Sequence, residues 1–211
     1  MSRAALERRL SRVAGFDDPR VEFEQYPTPA GLAAHLVHLA DVQGDLAGRT
    51  VLDLGTGTGM LALGAATRSP ARVLALDRDP DALGVARENE RRIAPESEAA
   101  TETEVEWLLA DATRHPICAS DATVLMNPPF GAQRGNEHAD RAFLATAAEV
   151  GSVSYSVHNA GSREFVEAFA ADEGGEVTHA FRAELALDRQ FDHQTSEREV
   201  IDAEVFRVVW S

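Results

Sequence analysis

The sequence contains no lysine, and all 20 of its basic residues are arginine. Acidic residues number 35, which gives a formal net charge of −15. This composition is typical of archaeal proteins from extremely salt-rich cytoplasm, where a Debye length of about 3 Å screens repulsion between like charges. An ordinary acidic protein that avoids nucleic acid is the alternative. Molar salt weakens the attraction of any protein to phosphate. The negative charge is therefore only weak evidence against a nucleic-acid substrate.

Cysteine is almost absent as well. With only Cys118, the chain is expected to form no internal disulfide and no cysteine-based zinc site. The seven histidines show no metal-ligand spacing, so no metal is expected. No apolar run reaches the roughly 18 residues of a membrane span, and the charged N-terminus lacks the apolar core of a secretory signal. We expect a cytoplasmic protein.

Apolar runs of strand length alternate with helical patterns along the chain. Strands are predicted at 50–54, 72–77, 105–109, 122–126 and 153–157, and helices at 3–14, 30–42, 60–67, 79–92, 138–149 and 162–172. Two long strands, 176–186 and 199–210, close the chain as a hairpin. This order predicts one α/β domain (1–211, with an N-terminal extension 1–45 and a core 46–211) built on a doubly wound, mostly parallel sheet. Its ligand should lie at the carboxyl ends of the strands.

A glycine-rich segment follows the first predicted strand. Asp53 precedes Gly55, Gly57 and Gly59, which are spaced G-x-G-x-G. Glycines in such a loop permit a tight turn and close approach of the backbone to a nucleoside. This spacing, with an acid just before it, favours S-adenosylmethionine over a nicotinamide dinucleotide, although a glycine-rich turn can also be purely structural.

Four further residues are candidates for cofactor binding. Asp77 ends the second strand, where it can accept hydrogen bonds from ribose hydroxyls, and Asp111 follows the third strand, where it can accept from the adenine amine. Gln25 and Thr28 belong to the extended segment EQYPTP, whose prolines disfavour helix. The alternatives are a solvated strand end for Asp77, a turn or cap residue for Asp111, and a proline-rich entry loop for the segment.

The most specific motif is Asn127-Pro128-Pro129-Phe130, which follows the fourth predicted strand. The lone pair of an adenine amine is delocalised into the ring, so two acceptors on its N–H groups are needed to make the nitrogen more pyramidal. The Asn127 side-chain oxygen and the Pro128 carbonyl are the predicted acceptors, and the prolines stiffen them. Phe130 offers a face for base stacking. No dedicated general base is needed.

The segments EQYPTP, DLGTGTG, MNPPFG and YSVHNAGSREF together resemble the methyltransferase-like protein 5 family of ribosomal-RNA adenine methyltransferases. The resemblance implies a Rossmann-like class I methyltransferase fold with a seven-stranded sheet, and N6-methylation of one adenosine in small-subunit ribosomal RNA. It also places Asn127 to Phe130 in the catalytic motif, and Gln25, Thr28, Gly55, Asp77 and Asp111 at cofactor contacts.

The resemblance further implies a heterodimer with a small zinc-binding activator protein. The third strand normally lies at a sheet edge in this fold, and an exposed apolar edge invites strand addition. We therefore expect Val105–Leu109 to pair with the activator and to bury Trp107 or its neighbours, unless Trp107 packs on its own helices. One loop departs from the family, because His193 is present without the usual lysine cluster.

Three rival functions share parts of this pattern. Glutamine methyltransferases that modify a translation release factor also use Asn-Pro-Pro, but they usually carry Tyr after the prolines and lack QYPTP. A DNA adenine methyltransferase would need a target-recognition domain, for which 211 residues leave no room. A silent RNA-binding or assembly subunit would not need the intact Asn127 motif.

Overall fold

The computed structural model describes residues 1–94, 102–129, 139–188 and 198–211. Phe130 of the predicted catalytic motif and His193 lie outside the described residues. Within the described part of the chain, no helix has the length and apolarity of a membrane span. The same residues contain no group of three or more His, Cys, Asp or Glu side chains placed to hold a metal ion.

A seven-stranded sheet forms the centre of the molecule. Its strands are β1 (Thr50–Leu54), β2 (Arg72–Asp77), β3 (Val105–Leu109), β4 (Ala122–Met126), β5 (Gly151–Asn159), β6 (Glu176–Asp188) and β7 (Arg198–Val209). They lie in the order β3-β2-β1-β4-β5-β7-β6. The first five pair in parallel, whereas β7 runs antiparallel to both β5 and β6. This confirms the predicted doubly wound sheet with a C-terminal hairpin.

The described residues include six α-helices, which flank the sheet. They are α1 (Arg3–Leu10), α2 (Ala30–Val42), α3 (Met60–Ala66), α4 (Pro80–Arg92), α5 (Ala139–Val150) and α6 (Arg163–Asp172). A short 3₁₀ helix, Val21–Phe23, lies between α1 and α2. The start of α4 follows from its sequence, because Pro80 has the φ of a first helical turn and Asp79 accepts a hydrogen bond from the Asp81 N–H at 3.1 Å.

The predicted helix 3–14 is too long, because α1 ends at Leu10. Beyond it the chain turns toward α4, where the Ala14 N–H donates to the Asn89 side chain at 2.8 Å and the Asn89 amide donates back to the Ala14 carbonyl at 3.0 Å. These tertiary hydrogen bonds replace the last helical turn that the apolar spacing suggested.

Two hydrophobic clusters cover the two faces of the sheet. One includes residues of α1, α2 and α3, and the other residues of α5 and α6. Leu6, Leu10 and Leu36, all within the predicted extension 1–45, are fully buried in the same cluster as Val51 of β1. The N-terminal segment is therefore part of the core that holds β1 in place.

Candidate active site

A cavity of about 300 Å³ opens at the carboxyl ends of β1, β2 and β4, beside the point where the strand order reverses between β1 and β4. This is the position at which doubly wound sheets bind their ligands. Most of the predicted site residues line it: Gln25, Thr28, Asp53, Gly55, Gly57, Asp77, Asp111, Asn127 and Pro129. The fold therefore brings together residues that are up to about a hundred positions apart in sequence.

Two carboxylates in the cavity wall carry pKa values above their usual range. Asp53 is 1% exposed, and this burial raises its pKa to about 7 although Thr56 and Ala62 donate hydrogen bonds to it at 2.6 and 2.9 Å. Burial also raises the pKa of Asp77, which accepts from the N–H groups of Gly57 and Asp79. Paired acids in a partly dry pocket favour a cationic ligand.

Gln25 lines the cavity, but both ends of its amide are engaged within the protein. Its oxygen accepts from the Arg20 N–H at 2.8 Å, and its nitrogen donates to Asp79 at 2.6 Å in a buried contact. These bonds tie the EQYPTP segment to the first turn of α4. Gln25 thus holds this part of the wall in place, which is a different use of the side chain from the predicted hydrogen bond to a cofactor.

Asp111 follows β3 and lies exposed at the edge of the cavity. Burial alone would raise the pKa of Asp111, but hydrogen bonds that the hydroxyl and N–H of Thr113 donate to one carboxylate oxygen outweigh it, and the pKa is lowered. The ionised acid is fixed by a local turn and remains available as an acceptor.

Asn127 has one satisfied and one unsatisfied end. Its side-chain nitrogen donates to the Thr28 hydroxyl at 3.0 Å. Its side-chain oxygen is buried and has no hydrogen-bond partner among the described residues. A buried acceptor without a donor costs about 1–3 kcal/mol, so in a native protein a ligand, an ordered water or a functional role usually accounts for one.

Gly59 does not line the cavity wall, contrary to the sequence prediction. It begins α3 at a φ of 90°, and a Cβ there would lie 2.8 Å from the Trp107 ring. Close packing against Trp107 therefore requires a glycine at this position. Pro128 is also absent from the wall, since its ring is buried between the two wall residues Asn127 and Pro129.

The cavity wall also contains aromatic residues that sequence reasoning missed. Phe16 lies against Gly57 and Phe143 of α5 lies against Gly55, so closely that a Cβ on either glycine would be 3.0 Å from the ring. Phe23 has the guanidinium of Arg78 over its ring at 4.2 Å. These aromatics come from separate segments of the chain and form no motif, so only the three-dimensional structure reveals them.

Glu24 is another wall residue without a sequence signal. Its φ of 50° and ψ of 47° place a non-glycine residue in the left-handed region while its side chain is 9% exposed. Such a conformation costs about 1–3 kcal/mol and tends to occur at functional sites. The prolines of the segment predict extended backbone but not this turn.

The histidine of YSVHNAGSREF has a structural environment. His158, near the end of β5, is 1% exposed, contacts Ser156 at 2.9 Å and packs edge-on against Phe206. Burial lowers the pKa of His158 to about 4, so it is neutral near pH 7. It therefore contributes a neutral polar group to the layer beneath α5 and α6.

The comparisons with known proteins agree with this architecture. The family model of the methyltransferase small domain matches residues 32–153. A Danio rerio protein named rRNA N(6)-adenosine-methyltransferase METTL5 is 30% identical over 209 residues, covering 95% of this chain and 94% of the relative. The Drosophila melanogaster protein of the same name is 31% identical over 201 residues, covering 93% and 92%.

Among solved structures, one from Pyrococcus horikoshii described as a candidate RNA methyltransferase is 34% identical. It matches with a TM-score of 0.85 and covers 99% of this chain and 96% of its own. The similarity thus spans the N-terminal segment, the sheet and the C-terminal hairpin together, which confirms the Rossmann-like methyltransferase fold.

Proposed function

Because the chain belongs to the METTL5 family of rRNA N6-adenosine methyltransferases, we propose that it methylates the N6 amine of one adenosine in small-subunit ribosomal RNA. The enzyme class and the cofactor, S-adenosylmethionine, follow from the family. The small subunit as substrate, the roles of individual residues and the protein partner are the proposal. The observation that carries it is the unsatisfied, buried oxygen of Asn127 in the cavity wall.

The cavity suits the cofactor. When bound, S-adenosylmethionine supplies the methyl group as part of a sulfonium cation. The nearby carboxylates of Asp53 and Asp77, whose pKa values burial raises, gain from a neighbouring positive charge. Asp111, which follows β3, provides an exposed acceptor in the cavity wall, as expected for the adenine amine.

We propose that the Asn127 side chain, which lines the cavity, and the backbone carbonyl of Pro128, whose ring does not, act toward the substrate as predicted from the sequence. The Asn127 oxygen accepts one N–H of the adenine amine, and the Pro128 carbonyl accepts the other, so that the nitrogen lone pair is directed toward the methyl group. Fixed acceptors in a partly dry site need little reorganisation during the reaction. Transfer then depends mainly on positioning, and the product ammonium is acidic enough to release its proton to water.

Methyl transfer from labelled cofactor, with the activator protein present, onto small-subunit ribosomal RNA and onto release factor in parallel tests the proposal. Label in the RNA, located at N6 of adenosine, is expected. Label on the protein alone would overturn the RNA assignment. Asn127→Ala should lower kcat by roughly 10²- to 10³-fold, as for loss of one preorganised polar contact to the transition state. Full activity in that variant would refute the catalytic role.

The activator protein is proposed to add to the sheet at β3. Of the two edge strands, β3 ends in Leu109, which is 63% exposed, while the described exposed side chains of β6 include Glu176, Thr178 and Arg182. Polar groups of this kind protect an edge, and an apolar residue invites a partner. Trp107 is not the exposed group, because it packs against the core and donates to Glu90 at 2.9 Å.

A further inference from the structure

The hydrogen bond between Asn127 and Thr28 joins segments 99 positions apart in the sequence. Thr28 is 8% exposed, and its hydroxyl accepts from the Asn127 side-chain nitrogen at 3.0 Å. The Asn127 oxygen has no partner among the described residues. The contact therefore distinguishes the two ends of one carboxamide.

This distinction matters because the two ends of a carboxamide are similar in shape and opposite in hydrogen bonding. A half-turn of the terminal torsion exchanges the oxygen for a nitrogen that carries two donors. Only the oxygen is useful toward an amine, since an N–H donor facing another N–H is repulsive. A threonine hydroxyl can accept or donate, so its contact holds the carboxamide in place, and in the observed geometry the oxygen is the end left for the substrate.

Thr28 itself is held in a stiff segment. It lies between Pro27 and Pro29, and Pro29 accepts the first hydrogen bond of α2 from the Ala33 N–H at 3.0 Å. Upstream, Gln25 anchors the same segment to Asp79 at 2.6 Å. The backbone that carries the Thr28 hydroxyl is thus held on both sides, as the backbone of a residue that orients another must be.

We propose that Thr28 is a positioning residue that holds the Asn127 carboxamide in place for the substrate amine. The inference rests on the proposed function, in which the Asn127 oxygen accepts the substrate amine. It differs from the role expected from the sequence, in which Thr28 contacts the cofactor. The two roles separate in the kinetics, because a positioning residue acts on kcat and a cofactor contact acts on cofactor binding.

The test compares Thr28→Val, which keeps the shape without the hydroxyl, with Thr28→Ser, which keeps the hydroxyl. We expect kcat on the RNA substrate to fall roughly 10- to 100-fold in Thr28→Val, because misorientation of a catalytic group has effects of this order. The cofactor Kd, measured by calorimetry, should change less than about twofold, and Thr28→Ser should restore kcat to near wild type. Thr28→Ala replaces the valine variant if the latter does not fold.

A second readout is independent of activity. The side-chain amide signals of Asn127, assigned by their disappearance in Asn127→Ala, should shift in the nitrogen–proton spectrum of Thr28→Val and not in that of Thr28→Ser. Unchanged signals, or a weakened cofactor Kd with unchanged kcat, would overturn the inference. Wild-type protein that binds cofactor but methylates no RNA would contradict the proposed function. The amide spectrum would still show whether Thr28 positions the Asn127 side chain.

Discussion

The protonation state of the Asp53 carboxyl is expected to depend on whether the cavity holds its positively charged cofactor. Its carboxylate is 1% exposed, burial raises its pKa to about 7, and the neighbouring Asp77 adds to the rise. Thr56 and Ala62 donate hydrogen bonds that limit the shift but do not cancel it. The group therefore changes charge close to neutral pH, in a place where a cofactor with a net positive charge is expected.

We expect binding of S-adenosylmethionine to release a proton near pH 6 and to release little near pH 8.5. A cation lowers the pKa of a buried carboxylate, so a protonated Asp53 ionises on binding at the lower pH. Calorimetric titration in two buffers of different ionisation enthalpy measures this release. Asp53→Asn should abolish most of it, and S-adenosylhomocysteine, which lacks the sulfonium charge, should cause less. Equal release at both pH values would contradict the role of Asp53.

The raised pKa of Asp53 also determines how this residue makes the stability of the protein depend on pH. The pKa of Asp53 rises from 3.8 to about 7 on folding, so between these values the folded state holds a proton that the unfolded state has lost. The contribution of this group to the free energy of unfolding therefore falls as pH rises through that window. His158 acts oppositely, because burial lowers its pKa from 6.5 to about 4 and its contribution rises with pH through that window.

Strands and helices are the features that the sequence predicted best. The limits of β1, β2, β3 and β4 match the predicted ranges, because each is a short, mostly apolar run with a polar or glycine residue within the next two positions. These strand limits also placed the candidate site residues at the carboxyl ends of the strands, and most of those residues line the cavity. Contacts between segments that are distant in the sequence were not predicted. They are those of Gln25 with Asp79, of Thr28 with Asn127, and of Trp107 with Gly59.

For the edge strand β3 too, the sequence predicted the position of the strand but not the contacts of its side chains. Its position at the sheet edge was predicted and is confirmed. The sequence did not predict which side chain β3 exposes, because it does not show which face of an edge strand is covered by the rest of the protein. Trp107 turns inward to contact Glu90, and Val105 also donates its N–H to Glu90 at 3.3 Å. A proline at 105 would thus disturb β3 itself, so Leu109 is the better position to probe a partner.

We expect Leu109→Asp to abolish co-purification with the small zinc-binding activator protein. A buried, unpaired carboxylate in an apolar contact costs several kcal/mol, which is enough to disrupt an interface of ordinary affinity. Val42→Asp is the matched control, since Val42 is 68% exposed and lies at the end of α2 away from β3. Melting temperatures of both variants without partner should equal that of wild type. Retention of the complex by Leu109→Asp would argue against β3 as the docking strand.

At the scale of the whole molecule, the charge balance predicts dependence on salt. The 35 acidic residues face only 20 arginines, so the folded chain repels itself at low ionic strength. Exposed ion pairs such as Arg163–Glu167 oppose this effect only weakly, because such pairs contribute about 0–1 kcal/mol. The Debye length falls from about 10 Å at 0.1 M to about 3 Å at 1 M salt, which removes most of the repulsion.

We therefore expect the melting temperature to rise by several degrees between about 0.1 M and 1 M KCl, with a further rise above that. A variant that carries Asp172→Asn, Glu173→Gln and Glu176→Gln isolates screening from general salting-out, because these three exposed acids cluster at the C-terminal end of α6, where negative charge is also unfavourable to the helix dipole. It should melt higher than wild type at 0.1 M KCl and gain less from added salt. If both proteins gain equally, salting-out rather than charge repulsion sets the salt response, and the acidic surface has another origin.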